Sequence, residues 1–148
     1  MCTGNTCRSP LAEAIAGRLC IERAHETFIV SSAGTSTWEG SPASDAAILV
    51  GIERGLDLSQ HRSRQLSSDV IEESDLVLAM GPHHLDRIEA LGGGGKAFLL
   101  TDYASAGAVH APIADPFGGD LDAYRATADE LASEIRKAFD RIAAEKLR

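Results

Sequence analysis

Cys2-Thr3-Gly4-Asn5-Thr6-Cys7-Arg8-Ser9-Pro10 opens the chain, and how this run is read decides the fold. Ser9 reads as a helix N-cap and Pro10 as the first helical position. Leu11, Ile15 and Leu19, with Ala12 and Ala16, form the apolar stripe of the helix that follows. A short loop running straight into a helix turns successive backbone N–H groups inward, and the positive end of the helix dipole adds to their field. Such a cradle suits a phosphate. Gly4 permits the backbone angles of a tight nest. Arg8 supplies a planar fork for two phosphoryl oxygens, and its permanent charge favours a thiolate at Cys2, the form in which cysteine is a nucleophile. Ser9 has two compatible readings, as a hydrogen-bond donor to that thiolate and as a helix cap.

Beyond the loop, strand and helix patterns alternate. Phe28 to Ser31 reads as a short strand, Ala43 to Arg54 as a helix ended by Gly55, and Asp75 to Met80 as a buried strand. Pro82 starts a helix carrying Leu85, Ile88 and Leu91, and Ala97 to Leu100 forms a further strand. Leu121, Tyr124, Ala128, Leu131, Ile135, Ala138 and Ile142 recur at helical spacing and mark a long final helix. This alternation implies an α/β fold with a parallel sheet covered by helices on both faces.

Composition narrows the function. A chain of 148 residues fits one domain, 1–148, with no linker or repeat to divide it. The formal charge of −8, from 22 acidic against 14 basic residues, argues against a nucleic-acid partner, which requires clustered Lys and Arg. Apolar runs such as Ala46 to Ile52 are too short to span a bilayer, and no secretory signal is visible, so the expected compartment is the cytoplasm. Three cysteines favour reactive or buried thiols over a disulfide framework. Cys7 is open to three readings, as a metal ligand, a buried small hydrophobe or a redox partner of Cys2. A zinc site needs about four suitably spaced ligands, and neither Cys20 nor the His83-His84 pair completes one. Cys20 reads as helix surface. No metal or organic cofactor is expected.

The run from Cys2 to Pro10, with Ser32-Ala33-Gly34, the Asp75 to Met80 strand and Asp115-Pro116-Phe117 before the last helix, resembles the low-molecular-weight protein-tyrosine-phosphatase family over nearly the whole chain. The resemblance implies a three-layer α/β/α fold around a small, twisted, four-stranded parallel sheet. It also implies that Cys2 attacks phosphorus and forms a phosphocysteine, that Arg8 and the loop Thr3, Gly4, Asn5, Thr6, Cys7 and Ser9 hold the phosphoryl group, and that Asp115 is the general acid. Taken alone, Asp115 before Pro116 is equally a turn residue. Asn5 is implied as the residue that braces the loop, with His61 and Ser32 as supports, although His61 also reads as a surface histidine. In this resemblance Cys7 is the partner of Cys2 in a reversible disulfide.

The substrate reading rests on three positions. Thr6 and the segment Phe117-Gly118-Gly119 are similar to the protein-arginine phosphatase branch, since a threonine hydroxyl suits a polar guanidinium and fewer aromatics grip a phenol less. Trp38 stands where tyrosine-selective members often place a pocket wall. The balance favours phosphoarginine on phosphorylated protein substrates, with phosphotyrosine as the alternative. An arsenate reductase-like protein, which needs downstream cysteines absent after Cys20, and an inactive phosphate-binding module are the more distant readings.

In a doubly wound sheet a phosphate loop follows the carboxyl end of the first strand. Only Met1 precedes Cys2, where the family has a run of mostly apolar residues. The expectation is therefore an N-terminally truncated domain whose first strand is missing through a misassigned start, a valine codon read as Met1, and which folds poorly as it stands.

Overall fold

The computed structural model describes residues 1–23 and 28–146. It has a mixed α/β fold: α1 (Arg8–Glu22), α2 (Asp45–Glu53), α3 (Ser68–Glu72), β1 (Val77–Ala79), α4 (Pro82–Ile88), β2 (Ala97–Leu99), α5 (Leu100–Ala104) and α6 (Leu121–Lys146). A single wide turn over Glu89–Gly93 extends α4 and takes in Leu91. No helix among the described residues is long and apolar enough to cross a membrane.

Local sequence explains most element ends. The Ser44 hydroxyl accepts from Ala47 N at 3.2 Å and starts α2, and Gly55, at φ 71°, turns the chain out of it. Arg18 on α1 reaches across to the carbonyl oxygens of Arg54 and Gly55, the acceptors left open where α2 ends. Pro82 takes the first turn of α4, as expected. α1 begins at Arg8, with Cys7 in the cap position and no side-chain cap, so Ser9 is inside the helix and not its N-cap. The helix therefore starts directly from the loop with no side chain capping its first turn.

The strands are shorter than their apolar runs. β1 pairs with β2 in parallel, Val77 with Ala97, Leu78 with Phe98 and Ala79 with Leu99. Leu100 and Thr101 go directly into α5, an element that the apolar run concealed. Phe28 to Ser31 is no strand: ladder pairing on that segment starts only at Ala33, and Ile29 is 96% exposed. Met1 and Cys2 lie on the free edge of β1. Met1 N donates to Leu78 O at 2.9 Å, and Met80 N donates to Met1 O at 3.0 Å. Cys2 forms a parallel bridge with Gly34, which forms another with Gln65. A β-carbon on Gly34 would stand 2.4 Å from Thr3 O, so only glycine lets these segments close beside the loop.

Alternation along β1 divides the core. Val77 and Ala79 pack with Leu66, Ile71, Ile88 and Leu99, while Leu78 packs against the larger cluster built on α1, α2, α5 and α6. Leu11 from α1 and Leu131 from α6 are fully buried there. Leu131→Ala is expected to lower stability by about 3 kcal/mol through lost burial and a residual cavity. Ile52→Ala, at a side chain 64% exposed, should stay within about 0.5 kcal/mol of the parent. Urea denaturation of both variants checks the contrast.

Candidate active site

The loop from Cys2 to Cys7 joins the edge of β1 to the start of α1, and its backbone is tied on both sides. Thr35 N donates to Cys2 O at 2.9 Å and Ser36 N to Thr3 O at 3.0 Å; Ser44 N donates to Thr6 O at 2.9 Å. Asn5 is the pivot. It is fully buried at φ 57°, a left-handed conformation that asparagine tolerates better than most residues. Its Oδ1 accepts from Arg64 N at 2.9 Å, its Nδ2 donates to Ser32 Oγ at 2.9 Å, and its carbonyl accepts from His61 Nε2 at 2.6 Å. The supports expected from sequence, His61 and Ser32, both reach Asn5. His61 is not a surface residue, for its side chain is 7% exposed.

His61 also faces Glu13 on α1, with Nδ1 to Oε2 at 3.7 Å. The Glu13 carboxylate, helped by the Asn5 carbonyl, raises the His61 pKa against the opposing effect of burial and of Arg62. One imidazole thus ties the loop to the helix behind it. Composition gave no hint of Glu13; its helical position two residues after Leu11, turned toward the 59–64 segment, emerges only from packing.

Arg8 is 5% exposed, and Nη1 donates to Ile113 O at 3.0 Å. Its Nη2 lies 3.5 Å from Asp115 Oδ2. Asp115 Oδ1 meanwhile accepts from Phe117 N at 3.1 Å, so this carboxylate makes the turn before Pro116 and faces the loop arginine as well. Cys2 and Cys7 are buried free thiols. Cys7 Sγ lies 3.4 Å from Tyr124 Oη and donates to Ser44 Oγ at 3.6 Å; burial, then Cys7, hold the Tyr124 phenol above the usual tyrosine range. The Ser9 hydroxyl is buried with no partner, an open position for a thiolate or oxyanion acceptor. Thr6 Oγ1 lies 3.8 Å from Cys7 Sγ. Gly4 and Thr3 complete the loop, while Trp38 at 87% and Phe117 at 81% exposure stand out into solvent. Glu13, Ser44, Tyr124 and His84 are contributors that the motif reading missed; His84 was legible there only as half of a histidine pair.

A buried guanidinium that meets one carbonyl and, at longer range, one carboxylate keeps further N–H donors for an anion. Beside it stand a cysteine, a helix start and a carboxylate. This set can bind a tetrahedral oxyanion, attack it with sulfur and supply or remove a proton.

The sequence profile of the family described as "Low molecular weight phosphotyrosine protein phosphatase" matches residues 1–148. A protein named protein-arginine-phosphatase from Bacillus subtilis (strain 168) is 37% identical over 139 residues, 93% of this chain and 90% of the relative. A second of that name, from Geobacillus stearothermophilus, is 38% identical over 151 residues, covering 99% and 95%. The solved structure described as YwlE arginine phosphatase from Geobacillus stearothermophilus superposes with a TM-score of 0.89 at 38% identity, over 99% of this chain and 92% of that one.

Because Glu13 raises the His61 pKa, the native state holds that proton more tightly than the unfolded chain. The resulting stability is fully present below the unfolded value of about 6.5 and is lost as pH rises through the higher folded value. Glu13 is 34% exposed, and solvent screening limits the pair to about 0.5–1 kcal/mol. Glu13→Gln should therefore cost that much at pH 6, with the gap to the parent closing toward pH 9 in urea titrations. A gap independent of pH would assign the effect to something other than the ion pair.

Proposed function

The chain belongs to the low molecular weight phosphotyrosine protein phosphatase family, and from that premise we propose that it hydrolyses phosphorylated proteins with Cys2 as nucleophile. The Cys2 thiolate attacks phosphorus in line, forming the S–P bond as the ester or amide bond breaks. Asp115 gives its proton to the departing group. Arg8 and the loop amides from Thr3 to Ser9 carry the charge on the equatorial oxygens. Water then attacks the phosphocysteine with Asp115, now a carboxylate, taking its proton, and phosphate leaves with the thiolate restored. The observation that carries this reading is the approach of Asp115 to Arg8 at 3.5 Å, which brings a residue before the last helix to the first loop of the chain.

Phosphoarginine is the substrate we favour. Thr6 offers a hydroxyl on the loop, and Phe117 is followed by Gly118 and Gly119 in place of a second aromatic. The relatives named as arginine phosphatases, similar over nearly their whole length, support the same choice. Trp38, exposed and aromatic, is the feature that favours phosphotyrosine. In this reading Trp38 and Phe117 form the rim that meets the substrate side chain. Cys7 resolves an oxidised Cys2: a sulfenic acid on Cys2 condenses with the Cys7 thiol, releasing water and leaving a reversible disulfide. Free thiols suit the reducing cytoplasm, where we place the protein. The β1–β2 pair and the bridges at Cys2, Gly34 and Gln65 are, in the same reading, parts of a four-stranded parallel sheet in a three-layer α/β/α domain.

Cys2→Ser is expected to abolish hydrolysis of p-nitrophenyl phosphate while inorganic phosphate still binds in calorimetry, and Asp115→Asn to lower kcat by about 10²–10³-fold. Persistent turnover by Cys2→Ser would remove the thiol from the mechanism. Between matched peptides, kcat/KM should favour phosphoarginine over phosphotyrosine, and Thr6→Ile should narrow that ratio by about tenfold. A parent enzyme faster on phosphotyrosine would reverse the substrate assignment.

A further inference from the structure

His84 has no part in the mechanism so far, yet among the described residues it is the one fully buried histidine. It lies in the first turn of α4, just past the carboxyl end of β1, and its Nε2 stands 2.9 Å from the hydroxyl of Thr3, the residue after Cys2. Its Nδ1 is buried without a partner, and its ring packs on His83 with centroids 3.8 Å apart at 43°. Leucine would fill such a site with no polar atom to desolvate, so packing alone does not account for an imidazole.

The two neutral tautomers differ in what they leave unpaired. With the proton on Nδ1, a buried N–H has no acceptor. With the proton on Nε2, only a lone pair at Nδ1 goes unused, and the ring donates to Thr3 Oγ1. We assign the second from the hydrogen-bond pattern. The Thr3 hydroxyl then accepts from His84 and keeps its own proton to give elsewhere. Thr3 is exposed, so that proton has access to an anion entering the loop.

We propose that His84 is a positioning residue that donates from Nε2 to the Thr3 hydroxyl, making that hydroxyl a side-chain donor to the phosphoryl group docked in the loop. The proposal rests on the phosphatase reading of Cys2 and Arg8. It differs from the Asn5 network, which braces the backbone, in that His84 sets the direction of one proton. The ring remains uncharged under working conditions: burial first, then His83, Arg8 and the Met1 amine, lower its pKa to about 4, with only Asp115 opposing. A neutral ring donates without setting a second cation beside Arg8.

Four variants test this: His84→Leu, His84→Gln, Thr3→Val and the Leu/Val double. The readouts are the Kd of inorganic phosphate by calorimetry, kcat and KM for p-nitrophenyl phosphate, and Tm. His84→Leu and Thr3→Val should each weaken phosphate binding about fivefold to tenfold, the worth of one hydrogen bond to an anion. The double variant should be no weaker than either single, because both remove the same donor. His84→Gln, whose amide nitrogen reaches toward the position of Nε2, should stay within about twofold of the parent. A parental Kd for folded His84→Leu, whatever its Tm, or singles whose effects multiply, would reduce His84 to packing. If His84→Leu does not fold, Thr3→Val decides, and an unchanged Kd there overturns the proposal. Phosphate titration needs no turnover: shifted affinities without hydrolysis of any substrate would defeat the phosphatase reading alone, and normal turnover with unshifted affinities would defeat this one alone.

Discussion

The loop from Cys2 to Cys7 leaves regular backbone geometry at Asn5, and the surrounding structure is built to hold it there. Its left-handed backbone carries a strain of about 1 kcal/mol or more for a residue with a β-carbon. Asn5 is held there by donating to Ser32 on one side and accepting from His61 and Arg64, neighbours in the 59–64 segment, on the other. Asn5 itself is fully buried, and leaving its polar atoms unpaired there would cost about 1–3 kcal/mol each. Gly34 is part of the same constraint, since the segment that carries Ser32 could not close on Thr3 with any larger residue. The loop is thus shaped before any ligand arrives, which is the condition under which fixed dipoles stabilise a developing charge without reorganising.

Charge around the loop is arranged in opposed pairs, Arg8 with Asp115 and His61 with Glu13. Arg8 is a buried permanent cation whose protein partners leave donors over. His61, bonded to Asn5, is pushed toward its protonated form by Glu13, while burial lowers the pKa of His84, bonded to Thr3. Two histidines near one site are therefore driven apart by their surroundings, one by a facing carboxylate and the other by burial beside positive groups. The molecule as a whole is acidic, at −8, yet a buried arginine stands at the loop.

Much of this was legible in the first ten residues. Cysteine, glycine and arginine at that spacing, followed at once by helix-forming residues, suggest an anion cradle with a nucleophile, and the wider family resemblance makes that reading specific. The supports His61 and Ser32 could be named, although their contacts could not. Helix positions came through well where the apolar stripe is long, as in α6, and less well where it is short: α5 was hidden in a run whose first residues belong to β2, and the extended segment at Phe28 has no ladder because its pairing starts later, at Ala33. Ser9 looked like a cap by residue type, but the cap position falls on Cys7, two residues earlier, and leaves the Ser9 hydroxyl unpaired.

The sequence by itself determined the chemical repertoire: a thiol, a guanidinium and a helix start within one short loop, and a candidate carboxylate far downstream. Only the tertiary structure decided which distant groups meet that loop. Asp115 comes to Arg8, His61 to Asn5, Tyr124 to Cys7 and His84 to Thr3, each pair brought together by the packing of segments far apart in the chain. The physical reason is that a residue's partners across the chain depend on how helices and strand edges stack, and stacking is set by the sum of many small apolar contacts that no single motif encodes.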